Sequence, residues 1–315
     1  MNDHDNRLLP DIDRRHLMVA GLAAAALATG ISSAGMAQAQ QTQAQPTPTA
    51  PASPASVGKV TVEQLGAVLL IGIDRPQTRN LVDPAIIIGI GKALYQVEHD
   101  DGLRVAVLHG IGPDFCMGID PPAFIAAVQA GIIPVKDPEY TGGLGLAPPV
   151  RTKPLVVAVQ GGTQFVGHEY FLAADIRVAA SDTVFRQAEV TRGSFPGGGA
   201  TVRFPREAGW ANAMRYMLTG DTWGAEESRR MGLVQEVTQP GKQLDLAVEI
   251  AKKVAAAAPL GVRATVASSR QALAQEEATA LAAVQPTFTG LQKTEDFKEA
   301  QRAVREGRAP VFKGI

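Results

Sequence analysis

The sequence predicts an α/β domain that is followed by a helical C-terminal region. Short apolar runs of the kind that form buried strands, such as Leu155–Val159, alternate with segments of helical period. This alternation is typical of crossover units around a largely buried sheet. From Leu244 onward the apolar residues recur with a helical period only.

The composition is that of a chain with a sizeable core. Of the 315 residues, 45% are hydrophobic and 19% are charged. The net charge of −1 provides no basic excess for binding nucleic acid, so no nucleic-acid partner is expected. Cys116 is the only cysteine, which excludes an internal disulfide and favours a small buried side chain over a nucleophile.

The N-terminal 57 residues are predicted to lie outside the folded domain. Arg14-Arg15 precede a weakly apolar, Ala- and Gly-rich run, and Ala37–Ala39 supplies a small-x-small cleavage pattern. Residues 1–39 therefore resemble a twin-arginine export signal, which predicts a periplasmic protein, with a cytoplasmic one as the alternative. The apolar run is shorter than the ~20 residues of a spanning helix, so no stable membrane span is expected.

The remaining chain is divided into a linker, a core and a tail. Residues 40–57 are rich in Gln, Pro, Thr and Ala and are predicted to be a disordered linker. Residues 58–243 are predicted to form the α/β core, and residues 244–315 a helical region that packs against the core and against another subunit. Residues 131–150, which are rich in Gly and Pro, are predicted to be a long surface loop over a site.

Each element of the core has a local signal. Apolar runs predict strands at Val60–Val62, Ala67–Ile73, Val105–Leu108, Leu155–Val159, Asp175–Ala180 and Leu233–Val237. Apolar stripes predict a first core helix that ends near Glu98. They predict further core helices at Ala123–Ala130, Tyr170–Ala174, Ala211–Leu218 and Ala225–Met231. The first of these helices begins with an N-cap and first-turn pair, Asp83-Pro84. The tail helices are predicted at Leu244–Ala257, Gly261–Gln275, Glu276–Ala283 and Thr294–Glu306.

Two carboxylates lie beside backbone-rich turns in an otherwise apolar part of the chain. Glu169 follows the turn at Gln160–Gln164, and Glu189 precedes the glycine turn at Phe195–Gly199. Buried carboxylates have raised pKa values and can exchange protons near neutral pH, although either residue could instead be a surface or capping glutamate. His168-Glu169 lacks the second histidine of a zinc helix motif, and no metal site is predicted.

Six features in chain order resemble the crotonase (enoyl-CoA hydratase/isomerase) superfamily, over about Val60 to Ile315. They are Ile73–Pro76 with Asn80, Phe115–Asp120, Lys153–Gly161, Glu169 with Asp175-Ile176, Phe185–Glu189 with Phe195–Gly197, and Leu218–Gly220 with Gly232–Val234. The resemblance implies a spiral of ββα units with a C-terminal helical trimerisation region, and hence a homotrimer or hexamer. It also implies a small acyl substrate, a CoA thioester, and no separate cofactor.

The resemblance further implies roles for individual residues. The backbone N–H groups of Ile119 and Val166 would hold the thioester oxygen, where preorganised donors each contribute about 3–4 kcal/mol to transition-state stabilisation. Glu169 and Glu189 would act on one water and on the α and β carbons. The remaining pocket residues implied by the resemblance, which would contact substrate or water, are Asp120, Gly197 and His168. The family often has a glycine run where this chain has Phe165–Gly167, so Val166 would narrow the pocket or change the turn.

Two departures leave alternatives open. Pro121-Pro122 stand where many hydratases carry a lysine, and export would place the protein where CoA is scarce. Some members of the superfamily cleave cyclic β-diketones with a histidine, and residues 112–120 also resemble that branch. A hydrolase without CoA and a non-catalytic binding protein are therefore the alternatives to an enoyl-CoA hydratase. The paired glutamates favour the hydratase.

Overall fold

The computed structural model describes residues 57–130, 138–146, 148–192, 194–274, 290 and 293–315. The predicted export signal, all but the last residue of the predicted linker, and the predicted helix at Glu276–Ala283 lie outside the described residues. The division between core and tail at residue 244 stays a prediction. Within the described residues, no helix combines the length and the apolar character that crossing a bilayer requires.

The main sheet has six strands in the order β1-β2-β3-β4-β6-β9. The strands are β1 (Lys59–Leu65), β2 (Val68–Asp74), β3 (Val105–Gly110), β4 (Leu155–Val159), β6 (Ile176–Ala180) and β9 (Glu236–Thr238). The first two form an antiparallel hairpin, and every other pair in this sheet is parallel. All six predicted strands are confirmed, with the last one beginning three residues later than Leu233.

A second, three-stranded sheet was not predicted from the sequence. It consists of β5 (Gly162–Gln164), β7 (Val184–Arg186) and β8 (Thr222–Gly224). Strands β5 and β7 are parallel, and β7 and β8 are antiparallel. Strand β5 lies within the segment that the sequence predicted to be a turn, because its three residues, Gly162–Gln164, include no hydrophobic side chain and give no strand pattern.

Nine helices in the described part of the chain surround the sheets. They are α1 (Pro84–His99), α2 (Pro121–Gln129), α3 (Val166–Ala173), α4 (Ala200–Ala208), α5 (Trp210–Thr219), α6 (Ala225–Arg230), α7 (Gln243–Ala256), α8 (Pro259–Ala274) and α9 (Glu295–Glu306). Asp83 caps α1 as predicted, because its side chain accepts a hydrogen bond from Ile86 N–H. Helix α4 was not predicted, since it contains Pro205 and follows a glycine turn directly.

Both faces of the main sheet are buried, because alternate residues of a strand point to opposite faces. On one face, Leu69 and Ile71 of β2 join a large core that includes residues of α1 and α3. On the other face, Val68 and Leu70 pack against an alanine stripe on α7, formed by Ala247, Ala251 and Ala255. Helix α7 therefore packs against the core, as predicted for the first helix of the C-terminal region.

Candidate active site

The site forms where the chain leaves β3 and β4. The segment after β3 lies beside β5, since Cys116 N–H donates to Gly162 O at 3.0 Å and Gln164 N–H donates to Cys116 O at 2.9 Å. The contact is close, because a Cβ atom on Gly167 would lie 2.6 Å from Cys116 O. This pairing brings the segment before Asp120 against the N-terminus of α3.

The backbone N–H of Ile119 points away from Val82, the residue with which Ile119 forms a parallel bridge. Val82 N–H donates to Gly118 O, and Asp120 N–H donates to Val82 O, both at 2.8 Å. In such a parallel bridge the N–H of the middle residue points to the opposite side. The Ile119 N–H is therefore available to a ligand on that side.

The second predicted donor, Val166 N–H, lies at the first position of α3. The first N–H groups of a helix have no acceptor within the helix and carry its positive dipole end. Val166 directs its side chain into the large core, where it is 2% exposed. The unusual backbone is that of Phe165, whose φ of 53° lies in the left-handed region that favours glycine. Phe165 N–H is held by Arg186 O at 2.9 Å.

Glu169 lies in the first turn of α3 and is almost completely buried. Its Oε1 accepts hydrogen bonds from Gly198 N–H at 2.6 Å and from Ala200 N–H at 3.2 Å. Burial raises the pKa of this carboxyl to about 8, and the negative charge of Glu189 adds to the rise. The two carboxylates are therefore close enough to influence each other's protonation.

Glu189 begins a 3₁₀ turn, Glu189–Arg192. Its Oε1 accepts a hydrogen bond from Gln187 Nε2 at 2.7 Å. Its Oε2 is also buried but has no hydrogen-bond partner among the described residues. Burial also raises the pKa of Glu189, so both carboxyls are suited to exchanging protons with a substrate.

The three predicted pocket residues take different places. Asp120 forms an ion pair with Arg75 at 2.8 Å and accepts from Ala123 N–H, so it anchors the start of α2. A Cβ atom on Gly197 would meet no atom within 4 Å, so there is open space beside this residue. On Gly198, by contrast, a Cβ would lie 2.3 Å from Glu169 Oε2.

His168 lies behind the carboxylates and is inaccessible to solvent. Its ring is surrounded by the rings of Phe171, Phe185, Phe204 and Trp223. Burial lowers the pKa of His168 to about 3, so the imidazole is neutral. Its Nδ1 lies 2.6 Å from Oε1 of Gln187, a residue that the sequence reasoning did not select. Its position two residues before Glu189 was the available sequence signal that Gln187 could contact that carboxylate.

The described residues include no group of His, Cys, Asp and Glu side chains that could hold a metal ion. What they hold is two main-chain N–H groups without an acceptor in their own element, those of Ile119 and Val166, and two carboxylates with raised pKa values, Glu169 and Glu189. Such donors stabilise an oxyanion, and such carboxylates move protons. Together they define the class of enzymes that form an enolate from a carbonyl substrate.

Comparisons with known proteins give the family. The enoyl-CoA hydratase/isomerase family matches residues 63–315. A relative from Thauera aromatica, "(E)-benzylidenesuccinyl-CoA hydratase", is 34% identical over 81% of this chain and 99% of its own length. The "2,3-dehydroadipyl-CoA hydratase" of Escherichia coli K12 is 30% identical over 82% of this chain and 100% of its own length.

Solved structures agree with this assignment. A probable enoyl-CoA hydratase/isomerase from Mycobacterium abscessus has a TM-score of 0.78 and 40% identity, over 81% of this chain and 98% of its own. An enoyl-CoA hydratase from Mycobacterium tuberculosis has a TM-score of 0.74 and 37% identity, over 81% of this chain and 99% of its own. The chain belongs to the enoyl-CoA hydratase/isomerase family, which confirms the crotonase-like fold expected from its motifs.

Proposed function

We propose that this protein adds water to the double bond of a 2-enoyl-CoA thioester. The observation that carries the proposal is the presence of two carboxylates with raised pKa values, Glu169 and Glu189, together with the N–H groups of Ile119 and Val166. The relatives named above are hydratases of CoA thioesters, which supports the same substrate class here. The thioester is the substrate, and the reaction needs no separate cofactor.

The proposed reaction follows from the roles of these groups. The thioester oxygen accepts hydrogen bonds from Ile119 and Val166 N–H, which stabilises the negative charge that develops on it. The ionised carboxylate takes a proton from water, and the water oxygen bonds to C3 as the electrons of the double bond move into the enolate. The protonated carboxyl then delivers its proton to C2. Water is thereby added across the double bond, and the pair again holds one proton.

The two alternatives from the sequence receive less support. A histidine that cleaves β-diketones must reach its substrate, but His168 is fully buried and is held by Gln187. A protein that only binds a ligand has no need for two carboxylates whose pKa values are both raised by burial. Both observations favour the hydratase.

Purified protein is expected to hydrate crotonyl-CoA, with a bell-shaped dependence of kcat/KM on pH. Activity should fall at low pH as Glu189, whose pKa burial raises, becomes protonated. It should fall again above about pH 8, where the shared proton is lost from Glu169. The loss of the enoyl-thioester absorbance measures the reaction. Cleavage of a cyclic β-diketone without hydration of crotonyl-CoA would contradict the proposal and favour the hydrolase.

We also propose that residues 1–39 are a twin-arginine export signal and that the protein works in the periplasm. Replacing both Arg14 and Arg15 with lysine is expected to keep the precursor in the cytoplasm, because the paired arginines are the recognised feature of such signals. Cell fractionation and N-terminal sequencing of the wild type and the variant measure this. A mature wild-type protein that still begins at Met1 would contradict the proposal and favour the cytoplasmic alternative.

Assembly into a homotrimer or hexamer is proposed as well. The apolar stripes of the C-terminal helices support it, as do large exposed side chains on neighbouring elements: Phe195, Val202, Trp210 and Leu218. Light scattering at micromolar concentration is expected to give the mass of three or six chains. A stable monomer under these conditions would show that the apolar surface serves another purpose.

A further inference from the structure

Glu189 is the end of a hydrogen-bonded row of three side chains, and the proposed reaction does not use the other two, His168 and Gln187, directly. His168 Nδ1 lies 2.6 Å from Gln187 Oε1, and Gln187 Nε2 lies 2.7 Å from Glu189 Oε1. His168 and Gln187 are both completely buried, so bulk water cannot replace either side chain in the row. The row thus connects the aromatic cluster to one oxygen of Glu189 only.

The direction of these hydrogen bonds follows from the chemistry of the three groups. A carboxylate can only accept, so the amide NH₂ of Gln187 must face Glu189 when Glu189 is ionised. The amide oxygen of Gln187 then faces His168, so Nδ1 must carry the imidazole proton. His168 Nε2 is left as an unprotonated acceptor, and it has no hydrogen-bond partner among the described residues.

The opposite hydrogen-bond arrangement, in which Glu189 Oε1 carries a proton, costs free energy. A proton on Glu189 Oε1 would have to be donated to Gln187, and the amide would have to turn over to accept it. His168 Nδ1 would then face an NH₂ group and become the acceptor, which moves the imidazole proton to Nε2. A buried N–H without a partner is expensive, and Nε2 is enclosed by aromatic rings. Protonation of Oε1 is therefore disfavoured, while Oε2 carries no such restriction.

We propose that His168 and Gln187 are positioning residues that hold Glu189 by Oε1 and leave Oε2 as the oxygen that exchanges protons with substrate and water. This inference rests on the proposed hydratase function. It assigns His168 a role that is neither that of a pocket residue nor that of a catalytic histidine. Gln187 is the essential link, because it alone contacts both of the other groups.

Other charges also act on Glu189 and His168, and they remain when the row is broken. Glu169 on α3 is the nearby carboxylate, and Arg203 on α4 acts on it in turn. Arg192, in the same 3₁₀ turn as Glu189, lowers the pKa of that carboxyl. Arg177 on β6 faces His168 and favours its neutral form. A variant of Gln187 keeps all four, so a change in titration reports the lost amide donor.

The test compares three variants in the hydration of crotonyl-CoA. Gln187→Met removes the donor to Glu189 and keeps the volume of the side chain, so the pKa of Glu189 should rise. The low-pH limb of kcat/KM is expected to move up by about one pH unit, and kcat to fall by about tenfold. His168→Phe keeps an aromatic ring and should move the limb in the same direction by less.

The matched control is Phe204→Leu. It disturbs the packing around the His168 ring, at a centroid distance of 5.2 Å, without touching a hydrogen bond of the row. It should lower the melting temperature and leave the low-pH limb in place. If Phe204→Leu and Gln187→Met shift the limb equally, or if Gln187→Met shifts nothing, the positioning role is refuted.

A measurement without turnover separates this inference from the proposed function. In ¹⁵N-histidine-labelled wild-type protein, the NMR signals of His168 should show a neutral ring protonated at Nδ1 between pH 5 and pH 9. A ring protonated at Nε2, or one that titrates in this range, overturns the row even if the enzyme hydrates crotonyl-CoA. A wild type that hydrates no enoyl thioester refutes the proposed function, while the NMR signature still decides whether the row exists.

Discussion

Glu169→Gln and Glu189→Gln are each expected to lower kcat for hydration by about 10²-fold or more. Each amide keeps the shape of the side chain but can neither hold nor release the proton that its carboxyl moves. KM should change less, because the lost interaction belongs to the transition state. Steady-state kinetics with crotonyl-CoA measure both constants.

The control for these variants is Glu249→Gln, an exposed glutamate on α7. It loses the same charge and should keep wild-type kinetics. Circular dichroism of all three variants should match the wild type, since neither carboxylate of the pair forms an ion pair within the described residues. Near-full activity in both Glu169→Gln and Glu189→Gln would show that the pair does not carry out the acid–base steps.

Gly198→Ala is expected to reduce kcat by about 10²-fold, although it adds only one methyl group outside the reacting carboxylates. The new Cβ would lie 2.3 Å from Glu169 Oε2 and 2.6 Å from its Cδ, so the carboxyl or the turn must move. That movement weakens the 2.6 Å hydrogen bond from Gly198 N–H to Oε1. The overpacking should also destabilise the fold by about 1–3 kcal/mol.

Gly261→Ala provides the comparison for this variant. Gly261 lies in α8, and the nearest atom to a Cβ there is Ala258 Cβ at 3.8 Å. It should raise stability by up to about 1 kcal/mol and leave the kinetics unchanged. Denaturant unfolding and the crotonyl-CoA assay measure both properties. If Gly198→Ala hydrates crotonyl-CoA as fast as Gly261→Ala, the glycine turn does not determine the position of Glu169.

The sequence predicted the main sheet because its central strands are apolar on both faces and stand out as short runs, as in β4. It did not predict β5 or β7, which are three residues long and are defined by their pairing with each other. Helix α3 was predicted only from Tyr170, although it begins at Val166. Its residues from Val166 to Leu172 are all buried, so no apolar stripe distinguishes its faces.

The functional site was likewise predicted only in part. The carboxylates and the two donor positions were recognised from chain order, whereas the neighbours of each side chain depend on tertiary contacts. His168 and Glu169 are adjacent in sequence, yet one faces an aromatic cluster and the other faces the glycine turn. Asp120 was expected in the pocket but is bound by Arg75, which belongs to a distant loop of the sequence.

The small second sheet has a consequence for how such an enzyme can diversify. Glu169 and Glu189 follow β5 and β7, which are neighbours in parallel register, with Thr163 paired to Phe185. Their spacing thus starts from a fixed interstrand distance, and the glycine turn at Gly198 then holds Glu169 in place. Other loops can be exchanged, lengthened or grafted to accept new acyl groups while the spacing of the two carboxylates is kept. Redesign of the substrate range should therefore begin in the loops and leave these two strands intact.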